Sequence, residues 1–296
     1  MTAGAATAIL VEERTTTTET GTNETSGARR IAAAFARAGA DGRAALVPYV
    51  VAGYPDADTS FEIALAAADA GADILEVGLP YSDPLADGAT LQRASGVALA
   101  AGATLERSLR LIERIGTARP DLPVVPMGYA NQVIGGGDGG PVAKRLAGAG
   151  AAGLIVADLT PDEGGPFEEV ARAADLAVVY LVAPTTPPER RAAVAARSGG
   201  FLYCVSLVGV TGARTNLPSS VGRLVRDVKA VSPVPVGVGF GVSRPVHVRA
   251  LVKAGADGVI VASALVDALG PDGRDVGAIA RLVRQLRAAT VRKARD

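Results

Sequence analysis

The chain predicts an α/β fold, a (β/α)8 barrel of the TIM type, from three observations. Short runs of Val, Leu, Ile and Ala recur along it, segments of helical periodicity separate them, and polar or glycine-rich loops follow the runs. The runs occupy residues 46–51, 74–77, 124–127, 153–157, 177–182, 201–206, 235–238 and 258–261. Runs as continuously apolar as these suit parallel strands covered on both faces.

The helices between them carry end signals. Thr59 and Glu62 have the spacing of a capping box, with Phe61, Leu65 and Ala68 on one face and Gly71 as a stop. Leu105, Leu109 and Ile112 form a second stripe that Gly116 closes, and Val276, Ile279, Val283 and Leu286 mark the last helix. Eight such units fit a closed barrel, whereas an open doubly wound sheet rarely needs so many similar ones. Residues 27–296 are expected to form this single catalytic domain. Residues 1–26 contain four consecutive threonines (15–18), then a polar stretch without aromatic residues, and are expected to be a disordered tail. Glu12 and Glu13, with no basic stretch before them, argue against a secretory signal.

Composition narrows the function. Hydrophobic residues make up 49% of the chain and aromatics only 4%, so small aliphatic side chains must fill the core. Thirty basic and thirty acidic side chains balance, which gives no electrostatic support for binding nucleic acid or a membrane surface. A single cysteine, Cys204, excludes an internal disulfide, and its apolar strand marks it as an inert thiol. The sole histidine, His247, lies on a helical pattern and leaves no zinc constellation. No apolar run reaches the roughly 18 residues of a membrane span, and a cytoplasmic location is expected.

The chemistry concentrates in residues 73–92, DILEVGLPYSDPLADGATLQ. Alternation puts Ile74, Glu76 and Gly78 on one strand face, with Leu75 and Val77 on the other. A carboxylate in a strand buried on both faces costs several kcal/mol unless paired or protonated. The pKa of Glu76 is therefore expected to rise toward neutrality, which suits a proton donor and acceptor. The alternative is a structural ion pair at a strand end. The loop that follows, through Pro80 and Ser82-Asp83-Pro84 to Asp87, favours acid–base work, because barrel active sites lie at the C-terminal ends of strands.

A phosphate site is expected opposite. Gly237-Val238-Gly239-Phe240-Gly241-Val242-Ser243 follows the seventh strand, and Ala262-Ser263-Ala264 opens a short helix after the eighth. Glycines let backbone N–H groups approach an anion, and loops after strands 7 and 8 are the usual phosphate position in barrels. The spacing is GxGxG, not the GxGxxG of nicotinamide cofactor sites. Residues 209–214 read either as a mobile lid or as an ordinary surface loop, and the glycine-rich 135–140 as a flexible connection without a P-loop lysine. Tyr203 alternates with Phe201 and Val205 and is expected to point into the barrel, toward a carboxylate or simply into the core.

Together these segments resemble the α subunit of tryptophan synthase, from about Val47 to the last helix. The stretch Glu76-Val77-Gly78-Leu79-Pro80-Tyr81-Ser82-Asp83-Pro84-Leu85-Ala86-Asp87-Gly88 resembles that family's signature, supported by Tyr129-Ala130-Asn131, Ala157-Asp158-Leu159, residues 209–214 and Gly239-Phe240-Gly241. The resemblance implies retro-aldol cleavage of indole-3-glycerol phosphate to indole and D-glyceraldehyde 3-phosphate. It implies Glu76 as the group exchanging a proton with indole C3, Asp87 as the partner of the indole N–H, and Tyr203 beside the glutamate. It places Thr211 and Gly212 in a lid, Gly241 and Ser263 in the phosphate cradle, and Tyr49, Met127 and Tyr129 around the indole. It further implies no metal and no cofactor, with pyridoxal phosphate confined to a partner β subunit in an α2β2 hetero-oligomer. Tyr54, Ala89, Thr160 and Ala262 depart from the commonest family pattern. Three readings follow: an α subunit stimulated by its β partner, a stand-alone lyase releasing free indole, and a silent phosphate-binding barrel that acts on β. The intact Glu76, Asp87 and Tyr203 argue against the last.

Overall fold

The computed structural model describes residues 25–205, 219–239 and 241–292. Its strands are β1 (Ala45–Val51), β2 (Leu75–Gly78), β3 (Val124–Gly128), β4 (Gly153–Val156), β5 (Ala177–Val179), β6 (Leu181–Val182), β7 (Leu202–Val205), β8 (Val236–Gly239) and β9 (Gly258–Val261). Its helices are α1 (Ser26–Ala40), α2 (Ala57–Asp69), α3 (Ala89–Ala100), α4 (Leu105–Ala118), α5 (Ala130–Val133) and α6 (Gly140–Gly148), followed by α7 (Pro161–Ala173), α8 (Pro188–Arg197), α9 (Ser219–Val231), α10 (Pro245–Ala254), α11 (Ser263–Ala268) and α12 (Val276–Ala288).

The strands pair in parallel in the order β5-β4-β3-β2-β1-β9-β8-β7-β6. The two ends of that ladder are neighbours in the chain, because only Tyr180 separates β5 from β6. The ladder therefore ends on the segment where it began, and the barrel closes with eight strand positions as expected. The single strand expected over 177–182 is interrupted because the Tyr180 N–H donates to Ser198 Oγ (3.0 Å), not to a strand neighbour. Its carbonyl still accepts from the Tyr203 N–H across the closure (3.0 Å). Only Leu181 and Val205 among the strand residues are less than fully buried. That burial on both faces is why the strands read as unbroken apolar runs.

The first helix stops the N-terminal mouth of the barrel. Ile31 and Phe35 of α1 press on Gly153, Gly200 and Gly258, each at or just before the start of a strand. A Cβ on Gly258 would come within 2.6 Å of the Phe35 ring, so the plug requires a glycine there. Thr25 caps this helix through its hydroxyl and Ser26 is its first residue, so both belong to the fold and not to the tail. Closing this end leaves the C-terminal end of the strands for chemistry.

Two helix readings are corrected. The cap of α2 is Asp56, whose carboxylate accepts from the Thr59 N–H (2.9 Å) and hydroxyl (3.0 Å), so Thr59 and Glu62 form no capping box. Its buried face is Thr59, Ser60, Ile63, Ala64 and Ala67. Phe61, Leu65 and Ala68 are only partly buried, and the Arg114 guanidinium lies 4.1 Å from the Phe61 ring centre. The flanks of α2 are covered by α4 and α12, which spreads partial burial round the helix and blurs a one-face pattern. Gly116 lies inside α4, which continues to Ala118, whereas Gly71 does end α2 with φ +105. In α12, Ile279, Val283 and Leu286 are buried as expected.

A buried ion pair locks β1 to the turn before β2. Arg43, 6% exposed, grips Asp73 with two parallel bonds of 2.6 and 2.8 Å, and Asp73 also accepts from the Leu46 N–H (2.8 Å). Arg43 also donates to the more exposed Asp41 (3.0 and 3.2 Å), so loss of Asp73 leaves the guanidinium partly paired and costs less than the roughly 3–5 kcal/mol of a buried charge left alone. Asp73→Ala is expected to lose about 2 kcal/mol of unfolding free energy, since Asp41 still pairs with Arg43, read as a lower urea midpoint with an unchanged slope.

Candidate active site

Inward-facing side chains converge at the C-terminal end of the barrel. Tyr49 on β1 lies level with Glu76 on β2, and Gly78 lies level with Met127 on β3. Tyr203 comes from β7, and the loops after β2, β8 and β9 add Asp87, Gly241 and Ser263. All of these except Gly78 line one cleft of ≈ 520 Å³, open to solvent, together with Gly88, Leu91, Val242, Ile260 and Ala262.

Glu76 is 1% exposed, and its Oε2 has no hydrogen-bond partner among the described residues. Burial, and secondarily the nearby Asp87 charge, pushes its pKa up to about 8. Asp87 is pushed only to about 6, because a hydrogen bond from the Tyr129 hydroxyl to its carboxylate opposes the desolvation. At pH 7 the pair thus holds one proton, on Glu76, and one negative charge, on Asp87. Two carboxyls separated in this way divide acid and electrostatic roles between them.

The loop carrying Asp87 is held from behind by β3 and α5. The Leu79 N–H donates to the Met127 carbonyl (2.8 Å), and Gln132 Nε2 donates to the Pro80 carbonyl (2.8 Å). Asn131 donates to the Tyr81 hydroxyl (3.1 Å), and the Tyr81 ring stacks on Tyr129 with centroids 5.1 Å apart. The Tyr129 hydroxyl accepts from the Ala86 N–H (3.1 Å) besides bonding Asp87. Tyr129 therefore stands behind the loop and does not line the cleft, unlike Tyr49 and Met127. Its hydroxyl found better use aligning the aspartate than facing a ligand.

Two glycines make room for two tyrosines. A Cβ on Gly78 would sit 1.8 Å from the Tyr49 hydroxyl, and one on Gly239 would sit 2.4 Å from the Tyr203 hydroxyl. Both phenols are pushed well above their ordinary pKa, chiefly by burial; the next cause is Asp87 for Tyr49 and Glu76 for Tyr203. They stay neutral donors beside the carboxyl pair.

On the other side of the cleft, Gly241 takes φ +72, a left-handed turn suited to glycine, and Ser263 is the first residue of α11. Thr211 and Gly212, with the rest of the segment 209–214, lie outside the described residues, as does Phe240. The sequence reading missed Leu91, Val242 and Ile260. Ile260 could have been found from strand alternation in β9, Leu91 from its place one turn into α3 after Asp87, and Val242 from its place inside the expected phosphate loop, where only the glycines were weighed. Cys204 is buried and its thiol is pushed up to about 12 by burial, consistent with an inert side chain. Among the described residues no cluster of His, Cys, Asp and Glu is built to hold a metal.

An eight-fold parallel barrel with two differently tuned carboxyls at its C-terminal mouth defines a barrel enzyme of the general acid–base class. The profile of one family, tryptophan synthase alpha chain, matches residues 35–292. The tryptophan synthase alpha chain of Roseiflexus castenholzii is 46% identical over 87% of this chain and 99% of its own length. That of Methanothermobacter thermautotrophicus is 46% identical over 82% and 89%, respectively. Among solved structures, a chain of Mycobacterium tuberculosis tryptophan synthase superposes with TM-score 0.81 at 41% identity, covering 89% of this chain and 99% of that one. The tryptophan synthase α subunit of Pyrococcus furiosus gives TM-score 0.76 at 35% identity, covering 83% and 98%. The chain belongs to the tryptophan synthase alpha chain family.

Two outcomes follow from the site. Tyr129→Phe removes the donor that holds Asp87 down, so the acidic limb of the activity profile is expected to move to higher pH in stopped-assay kcat/KM measurements. For Glu76, the unfolded chain gives up the proton near 4.5 but the folded protein keeps it to about 8. The folded state therefore loses stability as pH rises from below the first value through the second. Glu76→Gln is expected to raise Tm at pH 8.5 and to change it much less at pH 4; an equal change at both would contradict the buried-carboxyl account.

Proposed function

We propose that this chain is the α subunit of tryptophan synthase, cleaving indole-3-glycerol phosphate to indole and D-glyceraldehyde 3-phosphate. The observation that carries the mechanism is the split between Glu76, protonated near neutrality, and Asp87, ionised there. Breaking the bond between indole C3 and C3′ of the side chain requires a proton delivered to carbon. The Glu76 carboxyl supplies it, and the ring becomes an indoleninium whose positive charge is centred near nitrogen. The Asp87 carboxylate accepts a hydrogen bond from that N–H and stabilises the charge. The resulting Glu76 carboxylate then takes the C3′ hydroxyl proton as the C3–C3′ electrons return to the ring, leaving the aldehyde and neutral indole. Proton and charge balance with no external oxidant or cofactor.

Tyr49, Met127 and Leu91 supply the apolar walls for indole, and Gly241 and Ser263 the phosphate end; all five line the same cleft as the carboxyls. Thr211 and Gly212 take the lid role that the family resemblance implies. Pyridoxal phosphate belongs to the β subunit, and the assembly is α2β2. Support for a partner comes from the relatives in tryptophan synthase structures and from this chain's own active-site loop, where Leu85 stands 92% exposed. An apolar side chain that exposed, two residues from the cleft-lining Asp87, fits a surface meant to be covered. Among the described residues no helix is long and apolar enough to cross a membrane. From the biosynthetic role of the family we place the enzyme in the cytoplasm.

The test is release of indole from indole-3-glycerol phosphate, with and without a cognate β subunit. Slow release that β accelerates by orders of magnitude is expected; fast release indifferent to β would mark a stand-alone lyase. Glu76→Gln is expected to abolish turnover while leaving phosphate affinity nearly intact, and turnover within tenfold of the parent would sink the mechanism. The kcat/KM profile is expected to be a bell with limbs near pH 6 and pH 8, set by Asp87 below and Glu76 above.

A further inference from the structure

The only histidine in the chain has no part in the chemistry above, yet it is 1% exposed and is tied to the active-site wall. His247 is the third residue of α10, the helix that follows residues 241–244. Its Nδ1 accepts a hydrogen bond from the Ser243 backbone N–H (3.2 Å) and lies 3.4 Å from the Ser243 hydroxyl. A side chain at this position normally satisfies the backbone at a helix start by reaching back to it. Here the helix needs that service, since its N-cap is Arg244, which makes no side-chain cap bond. An arginine side chain has no acceptor to offer.

What the imidazole holds is more than a helix end. Gly241 and Val242, the two residues before Ser243, both line the catalytic cleft. Gly241 is in the left-handed region (φ +72), and Val242 is buried to 3%. The Arg244 carbonyl that follows accepts from the His247 and Val248 N–H groups as the first turn of α10 begins. The bond from the Ser243 N–H to Nδ1 fastens this turn to α10.

We propose that His247 is a positioning residue for the substrate's phosphate. Its neutral Nδ1 anchors Ser243 and thereby sets the attitude of the Gly241 and Val242 amides toward the anion. The inference rests on the reading of Gly241 and Ser263 as the phosphate end. It predicts a selective effect: the phosphate-bearing half of the substrate loses affinity, and the indole half does not.

The experiment is calorimetric titration with two separate probes, sn-glycerol 3-phosphate and indole, on the parent, His247→Phe and His247→Asn. Phenylalanine fills the space but has no acceptor. Asparagine places an amide oxygen where Nδ1 stands and should restore the bond. One lost hydrogen bond in the loop corresponds to roughly a five- to tenfold change in affinity. The expected result is a Kd for sn-glycerol 3-phosphate raised by that factor in the Phe variant, near-parental in the Asn variant, and a Kd for indole unchanged in both. In turnover, KM for indole-3-glycerol phosphate should rise with kcat held.

Unaltered sn-glycerol 3-phosphate binding by His247→Phe would overturn the proposal. So would equal weakening of both probes, which is what a merely structural histidine produces. Failure of the parent itself to bind sn-glycerol 3-phosphate while binding indole would instead overturn the phosphate reading on which the proposal stands. A measurement on the unaltered protein guards against a variant that does not fold. The single histidine gives one pair of ring ¹⁵N signals, and Nδ1 must appear as the unprotonated, accepting nitrogen. A protonated Nδ1 in the folded protein would end the proposal.

Discussion

A carboxyl group enclosed in an apolar barrel sets the terms for everything around it. Glu76 has almost no exposure and, among the described residues, one oxygen without a partner, a state that folding resists unless the group keeps its proton. The protein accepts that cost in stability because an acid that stays protonated to about 8 can deliver a proton to carbon at neutral pH. The strain is electrostatic and local. It persists because the strand that carries it is paired on both sides, with Tyr49 and Val125 level with Glu76.

The neighbours divide the remaining work by what they leave Asp87. If both carboxyls were buried alike, both would be pushed up alike, and the proposed mechanism would lack its anion. The Tyr129 hydroxyl prevents this by donating to Asp87, and its own orientation is fixed by stacking on Tyr81 and by the Ala86 N–H. The acid and the anion therefore differ in pKa because one loop is braced from behind by another. Tyr49 and Tyr203 complete the surround, each admitted by a glycine on the neighbouring strand.

The barrel's two ends are built for opposite purposes. At the N-terminal end α1 fills the mouth, and the Arg43–Asp73 pair ties the entry of β1 to that of β2. At the C-terminal end the strands finish in loops that hold the catalytic groups, with the β8 loop fastened to α10 through His247. Rigidity at the base lets the functional loops be placed accurately without themselves being strands. This is the usual division in barrels, where stability and chemistry occupy opposite faces.

The sequence by itself determined the barrel and the place of its two carboxyls. Parallel strands covered on both faces must be apolar throughout, so eight of them were visible as runs, and the Glu76–Asp87 segment follows the second run in an unbroken stretch of chain. Features carried by contacts distant in sequence were decided only by the tertiary structure. The break at Tyr180 depends on Ser198, which lies on the far side of a helix. The retreat of Tyr129 from the cleft depends on Tyr81 and Asp87, which lie more than forty residues earlier. Even the cap of α2 went to Asp56 over the expected Thr59–Glu62 box, because two acceptors competed for one helix end and only backbone geometry chose. Periodicity reports what each residue's surroundings are on average. Which group ends beside which is set by the closure of the barrel, and that closure brings together residues whose sequence separation hides their partnership.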